Sequence, residues 1–189
     1  WAREVFPDAS PSEAVYRLWR LILEVSRADG EDPESAWETH NASFEKTKRY
    51  LNSHRFDALR YESSNGTDLT VGLTDGHIWD GGAGRTQSGV TFFPNIPTEE
   101  GIVYSSMPLV RSGQIVRDFW LRFEGGCVVD CGAEQGREVL RHILETDEGA
   151  RRLGEVALVS KNTPIRQSDT LFYDTLYDEN ASCHLALGM

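Results

Sequence analysis

The sequence predicts an α+β fold: an N-terminal helical hairpin followed by a mainly antiparallel, twisted sheet with flanking helices. Three observations lead there. Apolar residues recur every three or four positions over the first ~55 residues, the period of a helix with one buried face. From Phe56 onward the period falls to two, the signature of strands with alternating faces. The two-residue turn signals Asn65-Gly66 and Gly125-Gly126 then divide the strand-like runs into hairpins.

Ser10-Pro11-Ser12-Glu13 opens the first helix. Ser10 suits the N-cap, Pro11 the first helical position, and Glu13 completes a capping box. Val15, Leu18, Trp19, Ile22 and Val25 form its apolar stripe. Asp32-Pro33-Glu34 opens a second helix, with Trp37, Phe44 and Leu51 on one face. His40 lies one turn from Trp37, a place for a packed rather than a metal-binding ring. Strands are expected over 56–61, 68–73, 90–93, 102–110, 114–123 and 127–130. Gly81-Gly82-Ala83-Gly84 lacks the Gly-Lys-Ser/Thr ending of a phosphate loop and no helix follows, so it reads as a turn. Val139, Leu140, Ile143 and Leu144 mark a helix over 134–146, and Asp147–Arg152 a further short helical turn. Val156–Val159 is an apolar strand. With no internal repeat and no low-complexity linker, residues 1–55 read as a connector or the end of a preceding domain, and 56–189 as one further domain.

Composition excludes several functions. The net charge of −11 disfavours nucleic acid or an anionic membrane as partner, since phosphate recognition needs a basic face. No apolar run approaches the ~18 residues of a membrane span. The opening Trp1-Ala2-Arg3-Glu4-Val5-Phe6 lacks the basic start and apolar stretch of a signal peptide, and a start on Trp without Met suggests an excised piece. Cys127, Cys131 and Cys183 give an odd count, expected as buried thiols in a reducing cytoplasm rather than a disulfide framework or a zinc site.

Three places carry metal-type donors beside strand-like segments. Pro97-Thr98-Glu99-Glu100 offers two carboxylates. Glu155 stands between Gly154 and the apolar run Val156-Ala157-Leu158-Val159, where an ionised carboxylate is costly unless a cation or donor answers it. A salt bridge to Arg151 or Arg152 is the plain alternative. His184 stands between Cys183 and Leu185-Ala186-Leu187, where a satisfied core histidine is the plain alternative. Oxygen and nitrogen donors of this kind suit zinc, cobalt or manganese.

The long segments Asp147–Val159 and Leu171–His184 resemble motifs of the M29 metallo-aminopeptidases. So do Asn95-Ile96-Pro97-Thr98-Glu99-Glu100, the segment Gly66–Leu73, and Trp37-Glu38-Thr39-His40-Asn41. The resemblance covers nearly the whole chain. It implies that Glu100, Glu155 and His184 are metal ligands and that Glu99 is a candidate proton relay in catalysis. It also implies a cytoplasmic, homodimeric exopeptidase acting on peptides with a free N-terminus, with two divalent ions, Zn2+ or Co2+, with Mn2+ as a further candidate.

The sequence departs from the family in three ways. Family members carry a Tyr and a His-x-Asp pair beyond the position of Met189. They carry about ten more residues where Gly101 directly follows Glu100, which leads us to expect an omitted mobile loop there. An N-terminal α/β domain is also absent. Residues 56–189 are therefore expected to be a metal-binding catalytic domain truncated at its C-terminus. Two other functions compete. One is a mononuclear-iron dioxygenase, which needs two histidines and a carboxylate where only His184 is suitably placed. The other is a non-catalytic oligomerisation or binding module.

Overall fold

A computed structural model describes residues 1–81, 99–111 and 113–188, together with the backbone of 89–92. The expected Gly81–Gly84 turn and the Asn95–Thr98 part of the glutamate motif therefore lie wholly or largely outside the described residues. The helices are α1 (Ala2–Val5), α2 (Pro11–Val25), α3 (Pro33–Ser53), α4 (Arg137–Leu144), α5 (Pro164–Gln167) and α6 (Thr175–Asp178). The strands are β1 (Ala58–Glu62), β2 (Asp68–Gly72), β3 (Asp80–Gly81), β4 (Gly89–Phe92), β5 (Glu100–Tyr104), β6 (Leu109–Arg111), β7 (Gln114–Glu124), β8 (Cys127–Gln135), β9 (Leu153–Leu158) and β10 (His184–Leu187). The chain divides into two compact units. One holds Trp1–Leu51, Asp80–Gly89 and Leu158–His184, and the other Asn52–Trp79, Val90–Ala157 and Leu185–Met189.

In the first unit α2 begins as its sequence dictates. The Ser10 hydroxyl accepts from the Glu13 amide and Pro11 occupies the first turn. Its buried face is Ala14, Leu18 and Val25. That face packs beside α1 and α5, where Ile165, Phe172 and Ala181 are also buried. Val15 and Trp19, expected on the buried stripe, are 50% and 61% exposed. The buried face is centred on Ala14, Leu18 and Val25, and Val15 and Trp19, each one residue after a buried position, lie about 100° further round the helix. The helix α3 has no fully buried residue. It is tied to the end of α2 by the Trp37 indole, which donates to the Ser26 carbonyl at 3.0 Å. His40 stands edge-on to both Trp37 and Phe44, at 5.5 and 5.8 Å, the packed histidine expected from its spacing.

The second unit holds an antiparallel sheet in the order β1-β2-β5-β7-β6, with β8 also on β7. In a second sheet β9 lies between β10 and β4. Leu69, Val71, Val116, Leu121, Phe123, Leu140, Leu144, Leu153 and Val156 make one core, with α4 covering β7 and β8. Each such side chain contributes about 1.5–3 kcal/mol by leaving water. Both predicted hairpins form, with Gly66, Gly125 and Gly126 at positive φ; Gly125-Gly126 alone joins β7 to β8, whereas β1 and β2 are joined by a five-residue loop, 63–67, closed by the Ser63 amide donating to the Thr67 carbonyl.

Several expected boundaries move. The strand expected over 102–110 breaks into β5 and β6, because β7 changes partner there. Asp118, at φ 50, bends β7 at that change. The helix expected from 134 begins at Arg137, since Glu134 and Gln135 extend β8 and Gly136, at φ 78, makes the corner. Asp147–Arg152 is a turn rather than a helix, organised by the Asp147 carboxylate accepting from Gly149 and Ala150. The loop expected between Glu100 and Gly101 is replaced by continuous strand: Glu100 pairs with Thr70, and Gly101 with Leu69 and Phe123. The thiols are not buried as expected: Cys127 and Cys131 are half-buried and Cys183 is exposed.

Candidate metal centre

Glu99 and Glu100 sit against the Gly125-Gly126 turn between β7 and β8. The Glu99 carbonyl accepts from the Gly126 amide at 3.3 Å, and Glu100 Oε1 accepts from the Gly125 amide at 2.6 Å. The two side chains then part, as neighbours in an extended chain must. Glu100 is exposed, whereas Glu99 is 0% exposed. Glu100 thus clamps the turn with its carboxylate, and Glu99 is the carboxylate turned into the interior. The sequence alone does not separate these roles; burial does. An ionised carboxylate inside a protein needs a cation or several donors to offset its lost hydration.

Glu155 is the third residue of β9 and half-buried, directly before the fully buried Val156 and Ala157. Arg151, its possible ion-pair partner from the sequence, donates to the Val128 carbonyl at 3.2 Å. His184 opens β10 and is half-buried. Its Nδ1 lies 3.2 Å from the Ser182 carbonyl. A carbonyl can only accept, so Nδ1 donates in this contact, and in a neutral ring the lone pair then lies on Nε2. That is the tautomer of a histidine that binds metal through Nε2, whose Nδ1–H is commonly held by a backbone carbonyl.

The segment before His184 is held by Asp178, whose carboxylate is buried. Asp178 accepts from the Phe172 amide at 2.8 Å and from the Asp174 amide at 3.1 Å. Burial pushes its pKa up, against the opposing pull of those amides. Asp174 in turn caps α6 by accepting from Leu176 and Tyr177. These two carboxylates of the motif therefore build the loop.

The donor types fit a divalent ion: an interior carboxylate, a carboxylate on a buried strand, and an imidazole in the ligand tautomer. The number does not fill a two-metal site, which needs a bridging carboxylate and further terminal ligands. Among the described residues no group of three or more His, Cys, Asp or Glu side chains is placed to hold a metal ion.

Known proteins extend this geometry. "Aminopeptidase T" of Thermus aquaticus is 51% identical over 199 aligned positions, covering 100% of this chain and 48% of the relative. "Aminopeptidase 2" of Geobacillus stearothermophilus is 48% identical, with the same coverage. A solved structure titled "Wild-type AmpT from Thermus thermophilus" superposes with a TM-score of 0.88 at 46% identity, covering 100% of this chain and 48% of that one. The chain spans about half the length of the relatives it matches. The alignments run over 199 positions against 189 residues, a difference of ten, the size of the departure noted at Glu100-Gly101. These names give no support to an oxygenase or to a non-catalytic module. The model of the thermophilic metalloprotease family M29 matches residues 1–189, and the chain belongs to that family.

Proposed function

We propose that the full-length protein is a metal-dependent aminopeptidase that removes N-terminal residues from peptides. The observation that carries this reading is the match of the M29 family model to residues 1–189 together with the wholly buried carboxylate of Glu99 in the glutamate motif. Glu155, His184 and one glutamate of the 99–100 pair would hold metal, with Glu99 favoured over Glu100 by its burial. The proton-relay role implied for Glu99 would then fall to another group, since a carboxylate bound to metal is a poor base.

Two divalent ions, Zn2+, Co2+ or Mn2+, supply an activated water and a polarised carbonyl when bound. The chain's own residues do the rest. The Ser182 carbonyl holds the His184 proton on Nδ1, which orients the ring. The Gly125-Gly126 turn anchors the main chain at Glu99 and the side chain of Glu100. The apolar Val156 and Ala157 keep water from the base of the Glu155 strand. The remaining ligands would come from the part of the family's length that this chain does not span. A homodimer in the cytoplasm completes the proposal.

The test is metal content per full-length chain, followed by hydrolysis of amino-acid anilides. Loss of activity with a chelator, recovery with Zn2+, Co2+ or Mn2+, and failure on N-acetylated substrates are expected. Unchanged hydrolysis in metal-free protein would refute the proposal.

A further inference from the structure

Away from the glutamate motif, the second unit contains an open cleft of about 540 Å³. Asn65, Tyr104, Asp118, Trp120, Glu134 and Arg137 line it. Its volume falls in the range of small-molecule sites. Its walls are aromatic: the Tyr104 and Trp120 rings lie 6.4 Å apart, tilted by 42°. The Trp120 indole lies against Gly132, where a built Cβ would come within 2.5 Å of Nε1. Glycine at that position is what lets the ring lie flat along the cleft floor.

Three features distinguish the cleft from an ordinary surface groove. Asp118 has φ 50, a left-handed conformation that costs energy for a residue with a side chain and that concentrates at functional sites. Asp118 lies in β7 across from Glu134 of β8, between the paired positions Arg117–Gln135 and Phe119–Ala133, so two carboxylates flank one position. Arg137, the first residue of α4, brings a guanidinium to the same cleft. Among the described residues Asp118, Glu134 and Arg137 make no hydrogen bond or salt bridge through their side chains, whereas many other surface charges here are paired.

We propose that this cleft binds a zwitterion of the α-amino-acid type: a free amino acid or a very short peptide. Asp118 and Glu134 receive the ammonium, whose attraction to the Tyr104 and Trp120 faces adds to theirs. Arg137 receives the carboxylate through its planar pair of donors. The aromatic walls accept the apolar side chain. The lining carries both signs, two carboxylates and one guanidinium, and a zwitterion answers both where a simple cation would leave Arg137 without a partner. The site is separate from the proposed hydrolytic reaction and needs no metal.

The experiment is calorimetric titration of metal-stripped, full-length protein with L-phenylalanine, its N-acetyl derivative and its amide. Binding of the amino acid is expected, with each derivative weaker by at least about tenfold because one charged partner is left unanswered. Asp118→Asn keeps a residue that tolerates the left-handed backbone, and Arg137→Gln removes only the charge. Each should weaken binding about tenfold while leaving the unfolding temperature and anilide hydrolysis unchanged. Glu155→Gln should leave phenylalanine binding intact, which separates this cleft from the hydrolytic site. No detectable binding at about 10 mM, well beyond useful recognition, would overturn the proposal. So would binding that ignores both cleft variants or that persists equally without the ammonium or the carboxylate.

Discussion

Gly136 offers a test in which strain and collision are separable. It stands between β8 and α4 at φ 78, and a Cβ built on it meets the Ile115 carbonyl oxygen at 2.6 Å and the Val116 Cα at 3.0 Å. Both atoms are main chain of β7, so no side chain can swing aside. Gly76 has nearly the same φ, 76, with nothing within 4 Å of its built Cβ. Gly76→Ala therefore measures the left-handed backbone cost alone, about 1 kcal/mol. Gly136→Ala adds displacement of the α4 corner from β7, which overpacking measurements place at about 1–3 kcal/mol. The expected total is about 2–4 kcal/mol, a large share of a typical domain's stability. Urea denaturation followed by circular dichroism would report both variants. Equal losses would show that the corner relaxes freely and that the collision argument is wrong. A Gly136→Ala loss below that of Gly76→Ala would refute the strain argument as well.

Other expectations are narrower. Glu155→Gln in the full-length protein should lower metal content and abolish anilide hydrolysis with little change in unfolding temperature; retained metal and activity would return Glu155 to a structural role. Asp174→Ala removes the cap that accepts from Leu176 and Tyr177 and should cost about 1 kcal/mol in urea denaturation; no loss would mean the turn holds without it. Burial, and then the nearby Arg27, hold His40 below its ordinary value of 6.5. The unfolded chain then takes up the proton first, so stability from the neutral ring is present above about pH 6.5 and is lost as pH falls below it. His40→Gln should flatten that part of the stability-against-pH curve, and an unchanged slope would assign it to other groups.

The sequence carried the element types well because its period changes cleanly at Phe56 and its turn glycines sit where positive φ is needed. The Ser10 cap was legible for the same reason, being a local hydrogen bond between near neighbours. What depended on distant chain was not legible. The split between β5 and β6 follows from a change of partner along β7, and the exposure of Trp19 from which elements cover α2. At the candidate centre, residue types and motif spacing named only candidate donors. Which of Glu99 and Glu100 turns inward depends on the Gly125-Gly126 turn some 25 residues away, beyond any local pattern. The left-handed Asp118 had no sequence signal, because aspartate in an alternating strand looks like any outward-facing polar residue.

The Asp178 carboxylate has a consequence for how the chain opens. The amides of Phe172 and Asp174 belong to no helix or strand, yet their hydrogens end on this one buried side chain. They should exchange with deuterated solvent slowly and in concert, as if they were part of a helix. Loops normally lose protection amide by amide, whereas this one would lose it in a single step when Asp178 swings out. In the segment leading to His184 two amides thus share one acceptor, and their protection would be lost together even while the buried Phe172 ring still holds the loop.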